Sequence, residues 1–199
     1  FGDLTYNDWI TDTTVDRGEA WGYMRDATYK SLSSLIHYLV DNVSKNGYLL
    51  LNVGPKPNGE IPEQAQSLLK GIGKWLEVNG EAIYETVPWV MYGEGPTHMT
   101  KSGDFMENEE VKYTAQDIRF TVKDDALFAI CLGVPKGQVI IHSLKNLYEE
   151  EIRSVKILGQ DIELVWSLDA DGLKINLPEL VPGENAVVFK ILRKHPFGD

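Results

Sequence analysis

LSSLIHYLVDNVSKNGYLLLNVGPKPNGEIPEQAQSLLKGIGKWLEVNG, residues 32–80, is the stretch whose reading decides the fold class. Leu32, Leu35, Ile36, Leu39, Val40 and Val43 recur at helical spacing, and Asn46-Gly47 supplies the left-handed stop that ends such a helix. Tyr48-Leu49-Leu50-Leu51-Asn52-Val53 follows at once, an almost unbroken apolar run of the kind expected for a parallel strand covered on both faces. Gly54-Pro55-Lys56-Pro57-Asn58-Gly59 is a dense turn signal. Ile61-Pro62 then opens a second helix with Ala65, Leu68, Leu69, Ile72, Trp75 and Leu76 on its buried face, and Asn79-Gly80 closes it. Helix, buried strand, loop and helix in succession predict an α/β arrangement, either an open sheet or a closed barrel.

Upstream, Thr11 to Val15 reads as one more strand of that sheet. Downstream of Trp89 the character changes. Short runs rich in β-branched and aromatic residues occupy 118–122, 126–132, 138–142, 155–158, 164–168, 173–177 and 186–192, separated by turns such as Lys123-Asp124-Asp125 and Asp169-Ala170-Asp171-Gly172. Their spacing predicts an antiparallel β-sandwich. Residues 92–108, with three Gly and one Pro, read as a crossover, so the division expected is 1–91 for the α/β unit and 92–199 for the sandwich.

Composition narrows the function. Hydrophobic residues make up 43% and charged residues 25% of the chain, which is enough apolar material for a packed core. The formal charge of −11 repels phosphate backbones, so nucleic acid is excluded as a partner, and no run approaches the ~20 apolar residues of a membrane-spanning helix. Cys131 is the only cysteine, sits in apolar surroundings without a basic neighbour, and suits neither a disulfide nor a thiol nucleophile. His37, His98, His142 and His195 lack ligand spacing, so no metal is expected, and Gly93-Glu94-Gly95-Pro96 does not complete a dinucleotide-binding pattern, so no cofactor is implied. The start, FGDLTYNDW, has no initiator Met and none of the features of a signal peptide; the expectation is a chain that begins inside a longer protein, its compartment left open.

Three stretches together carry a family resemblance: Ala20-Trp21-Gly22-Tyr23-Met24-Arg25-Asp26, the run from Leu39 to Pro62, and Gly73-Lys74-Trp75-Leu76-Glu77-Val78-Asn79-Gly80-Glu81-Ala82-Ile83-Tyr84. They resemble the α-L-fucosidases of glycoside hydrolase family 29. The resemblance implies the C-terminal portion of a TIM-like (β/α) barrel followed by a β-sandwich, and an enzyme that removes terminal α-L-fucose from fucosylated glycans with retention. Retention needs a nucleophile and an acid/base, two carboxylates about 5–5.5 Å apart. The family's nucleophile is an Asp well upstream of the tryptophan-glycine-tyrosine motif, so it is expected outside this chain. The acid/base falls at or next to Asp26; members that use Glu carry it one residue later, where Ala27 stands here.

Asp26 is therefore the acid/base candidate and Glu19 the second, with Asp12 and Asp16 as further carboxylates near the expected strand end. Each has a plainer reading as a loop charge, and Asp26 as a helix cap or a partner of Arg25. Trp21 and Tyr23, flanking Gly22, suit stacking on a pyranose as well as core packing. Arg25 suits hydrogen bonding to sugar hydroxyls, and Tyr48 and Asn52 belong to a strand whose C-terminal end would line a barrel site. Two or three parallel strands alone leave open edges, so either homo-oligomerisation or association with the remaining barrel portion is expected. The competing reading is a non-catalytic fragment that binds carbohydrate or serves only structure.

Overall fold

The computed structural model describes residues 2–17, 21–97 and 111–194. Strand β1 (Trp9–Thr14) leads, after a loop, to helix α1 (Leu32–Ser44). Ser31 caps the helix: its hydroxyl accepts from the Ser34 amide at 3.1 Å, satisfying one of the first-turn N–H groups that have no partner within a helix. The helix ends where Asn46 turns to a φ of 70°, and β2 (Gly47–Asn52) runs straight out of that turn, parallel to β1, with Trp9 opposite Gly47 and Thr14 opposite Asn52. Helix α2 (Glu63–Asn79) follows the turn after β2 and packs on α1. Gly71 lets the helices approach, since a Cβ there would lie 2.7 Å from Leu32 Cδ2.

The expectation that β2 is covered on both faces is not met. Leu51 packs against the cluster of Val15, Leu35 and Ala65, and Thr11 meets the Tyr38 hydroxyl at 3.2 Å, so one face lies on the helices. The alternate residues Ile10, Tyr48 and Leu50 are 67%, 60% and 57% exposed. Two strands cannot close around that second face, and no described element covers it.

The rest of the chain is a β-sandwich. Strands β3 (Val87–Glu94), β4 (Ile118–Lys123), β5 (Ala126–Cys131), β6 (Gln138–Ile141), β7 (Ile152–Ile157), β8 (Val165–Asp169), β9 (Gly172–Asn176) and β10 (Val187–Arg193) form an antiparallel five-stranded sheet, β3-β4-β5-β10-β7, and a three-stranded sheet, β6-β9-β8. Phe120, Leu127, Ile141, Val155, Leu173 and Phe189 are among the residues of the core between the sheets. The boundary expected at 91/92 falls inside β3, and Val87 and Pro88 already pair with β4. Of the expected crossover, Tyr92 to Glu94 are strand, and 98–108 lie outside the described residues.

Every residue of β5 is buried, because the five-stranded sheet is the middle of three layers. Leu127, Ala129 and Cys131 face the three-stranded sheet, whereas Ala126, Phe128 and Ile130 meet Ile36, Val40 and Trp75 of the two helices. Polar groups stitch the same junction. Trp75 Nε1 donates to the Ala186 carbonyl at 3.2 Å, Thr121 Oγ1 to the Ala82 carbonyl at 2.7 Å, and Ser33 Oγ to Asn185 Oδ1 at 2.6 Å.

His37 completes this junction with Nε2 at 2.8 Å from the Asn185 carbonyl, which requires the proton on Nε2, and its ring meets Tyr113 edge-on. Burial pushes the His37 pKa below its ordinary 6.5; Asn185 and Asp117 oppose the shift and Arg119 adds to it. A folded-state value below the unfolded one means that the neutral ring is favoured by folding. Its contribution is full above 6.5 and is lost as pH falls through the depressed folded value. His37→Gln keeps a donor but does not titrate, so its melting temperature falls less than that of the parent between about pH 7 and about pH 5. Equal slopes in calorimetry at these pH values would remove His37 from the account.

Candidate functional site

Because β1 and β2 are parallel, their C-terminal ends, Thr14 and Asn52, lie at one edge. The chain leaves β1 across that edge and returns antiparallel to itself. The Arg17 amide donates to the Thr28 carbonyl at 2.9 Å, the Lys30 amide to the Val15 carbonyl at 3.0 Å, and Asp16 forms an isolated bridge with Tyr29. Within the segment between, the described residues 21–23 carry the tryptophan-glycine-tyrosine motif and lie against Asn52 and Gly54 at the end of β2. The Val15 amide ties this base to β2 through the Asn52 carbonyl at 3.1 Å.

Asp26 lies two residues before the returning pair, exposed on the surface. Among the described residues it makes no hydrogen bond or ion pair, and neither does Arg25, so neither capping nor mutual pairing occupies them. Tyr23, Arg25, Ala27 and Tyr29 form one wall of a cavity of about 180 Å³, with Lys56 and the start of α2 opposite; Asp26 is not part of that wall. Trp21 is half exposed and Tyr23 a little less so. An exposed carboxylate without a partner among the described residues is free to donate and accept a proton.

The other candidates fall in different places. Asp16 is buried and accepts from Thr14 Oγ1 at 3.2 Å. Burial, then the charge of Asp16 and the neighbouring Tyr23, pushes the Tyr29 hydroxyl pKa up. Asp12 is exposed on the open face of β1, and Glu19 lies outside the described residues. Asn52 is brought to Trp21, whose carbonyl accepts from its side-chain amide at 2.9 Å. Tyr48 is not brought to them. It sits four residues back on β2, about 13 Å from Asn52 at strand rise.

The sequence alone does not mark Lys30, which donates to Thr13 Oγ1 at 2.6 Å and to the Thr14 carbonyl at 2.8 Å, placing a cation at the end of β1. Its only signal is its place just before the capping Ser31. Cys131 is buried, and burial raises its thiol pKa to about 12, which leaves no thiolate for chemistry near neutrality.

Two family models match successive parts of the chain: alpha-L-fucosidase over residues 1–81, and the alpha-L-fucosidase C-terminal domain over residues 108–192. Tissue alpha-L-fucosidase of Rattus norvegicus is 34% identical over 179 residues, 88% of this chain and 34% of the relative. The Homo sapiens tissue enzyme is 34% identical over 191 residues, 92% of this chain and 36% of the relative. Among solved structures, Thermotoga maritima alpha-fucosidase in complex with fucose superposes with a TM-score of 0.77 at 31% identity, covering 96% of this chain and 40% of that one. The chain spans about a third of the length of these curated relatives.

Proposed function

The chain belongs to the α-L-fucosidase family, and from that premise we propose that it forms the acid/base-bearing part of a retaining enzyme that releases terminal α-L-fucose from fucosylated glycans. The observation that carries the proposal is Asp26, an exposed carboxylate with no partner among the described residues, on the family's motif, whose start is tied to the C-terminal end of β2 by the Asn52 side chain on the Trp21 carbonyl. In a barrel that is the end on which active sites are built.

In this reading β1, α1, β2 and α2 are consecutive units of a (β/α) barrel, and the exposed Ile10, Tyr48 and Leu50 face its interior. The open edges of the two strands call for further strands of the same barrel beside them. The nucleophile comes with them. Asp26 protonates the departing glycosidic oxygen as the nucleophile attacks the anomeric carbon, then removes a proton from the water that frees the glycosyl-enzyme. Trp21 and Tyr23 pack against the sugar, and Arg25 donates to its hydroxyls. We place the division between barrel and sandwich at Tyr84–Thr86, just before β3, where Glu85 adopts a φ of 58°.

The test is hydrolysis of an aryl α-L-fucoside by the chain alone and by the chain mixed with a polypeptide carrying the preceding barrel strands, with mass in solution followed in parallel. Hydrolysis that appears only in an assembled form is expected. An assembled complex that binds fucose without cleaving it would favour the binding-only reading and remove the catalytic one.

A further inference from the structure

We infer that Asn52 and Gly54 are positioning residues that clamp the Trp21–Asp26 loop in its working place; the inference rests on the acid/base reading of that loop. Asn52 makes three connections at the point where the loop crosses the strand ends. Its carbonyl accepts from the Val15 amide at 3.1 Å, and its side-chain amide reaches Thr14 Oγ1 at 3.4 Å and the Trp21 carbonyl at 2.9 Å. One side chain thus ties the ends of β1 and β2 to the start of the motif. Both protons of that amide are directed at protein acceptors, which commits its donors to holding the loop.

Gly54 holds the same loop by contact. A Cβ built on it would lie 2.6 Å from the Gly22 carbonyl carbon and 2.8 Å from the Tyr23 nitrogen, backbone atoms that cannot swing aside as a side-chain tip can. Gly54 is not among the positive-φ glycines, so its backbone conformation is open to other residues and the requirement is for space alone. Gly22 in turn is the residue between Trp21 and Tyr23, so the two glycines meet at the centre of the motif. Asn52 and Gly54 act through the loop and reach no substrate themselves.

Displacing a general acid by about 1 Å costs on the order of 100-fold in rate, and only where the leaving group needs its proton. The test is therefore Gly54→Ala and Asn52→Ala, each measured in two ways. In the chain itself, trypsin cleavage after Arg25 reports the loop directly: both variants are expected to be cut at least about tenfold faster while their thermal midpoints stay near the parent's. In whichever assembled form hydrolyses α-L-fucosides, kcat/KM for methyl α-L-fucoside is expected to fall about 100-fold, with little change for the 2,4-dinitrophenyl fucoside, whose leaving group departs without a proton. An unchanged rate of Arg25 cleavage, or an equal loss on both substrates, overturns the inference. Absence of hydrolysis by every wild-type assembly overturns the functional reading instead, and the cleavage rate still decides whether the two residues hold the loop.

Discussion

Asp41→Ala is expected to lower the stability of the chain by about 3–5 kcal/mol, because it leaves two buried cations without the carboxylate that pairs them. Asp41 lies on α1, buried; its Oδ1 accepts from Arg119 Nε of β4 at 2.6 Å and its Oδ2 from Lys45 Nζ at 2.7 Å. Both cations are themselves buried; Arg119 Nη1 also donates to the Ile118 carbonyl at 3.1 Å, and aromatic faces lie close, with Lys45 4.8 Å from the centroid of Tyr92 and the Arg119 guanidinium 5.3 Å from Tyr92 and 5.1 Å from Tyr113. Burial alone would lower the Arg119 pKa, yet the charge and hydrogen bond of Asp41 hold it above its ordinary value.

For a chain of this size the loss corresponds to a fall in melting temperature of roughly 6–20 °C. Asp41→Asn discriminates, since it keeps the shape and one acceptor but removes the charge; it is expected to lose most of the same stability. Replacing all three residues by apolar ones of similar volume is expected to restore much of the loss, because the penalty is the unpaired charge and not the absence of the ion pair. A loss below about 1 kcal/mol for Asp41→Ala, the magnitude of a solvated surface pair, would show that water reaches the cluster. The cluster joins α1 to the five-stranded sheet, so its rupture is expected to loosen the helical layer and the sandwich together.

These effects also mark what the sequence could and could not tell. α1, β2 and α2 are legible because their signals are local: a 3.6-residue apolar stripe, Asn46 at the left-handed stop, Pro62 at the start of α2. Which faces are covered is not local. The apolar runs of β2 and β5 look alike, yet β5 is buried throughout and β2 is not, since helices drawn from residues 32–79 happen to cover one and nothing described covers the far side of the other. Strand β3 escapes the pattern for a physical reason. It is an edge strand with Pro88 in it and a register break before Gly93, and neither feature suits a regular ladder. Asp41 and Lys45 have the i,i+4 spacing of an ordinary surface pair, and only Arg119, 78 residues away, makes them a buried one. The motif loop is legible through the family resemblance; the amide of Asn52 on Trp21, 31 residues back, is a product of folding alone.

Asp26→Gly carries the other large effect. With methyl α-L-fucoside, kcat of the assembled enzyme is expected to fall by about 10²–10⁴, the usual contribution of a positioned general acid/base. Two features separate this from damage to the loop. With a dinitrophenyl leaving group the first step needs no proton, so glycosyl-enzyme forms and its breakdown limits the rate; an initial burst of dinitrophenol is expected where the parent gives none. Azide then restores turnover, since a small anion attacks the anomeric carbon without needing a base to remove a proton, and it enters the space that the carboxylate vacates. Because Asp26 has no partner among the described residues, its removal strands no buried group, and the melting temperature should stay within a few degrees of the parent's. If the rate falls but azide yields no fucosyl azide, the acid/base lies elsewhere, and Glu19, seven residues earlier in the sequence, is the next carboxylate to replace.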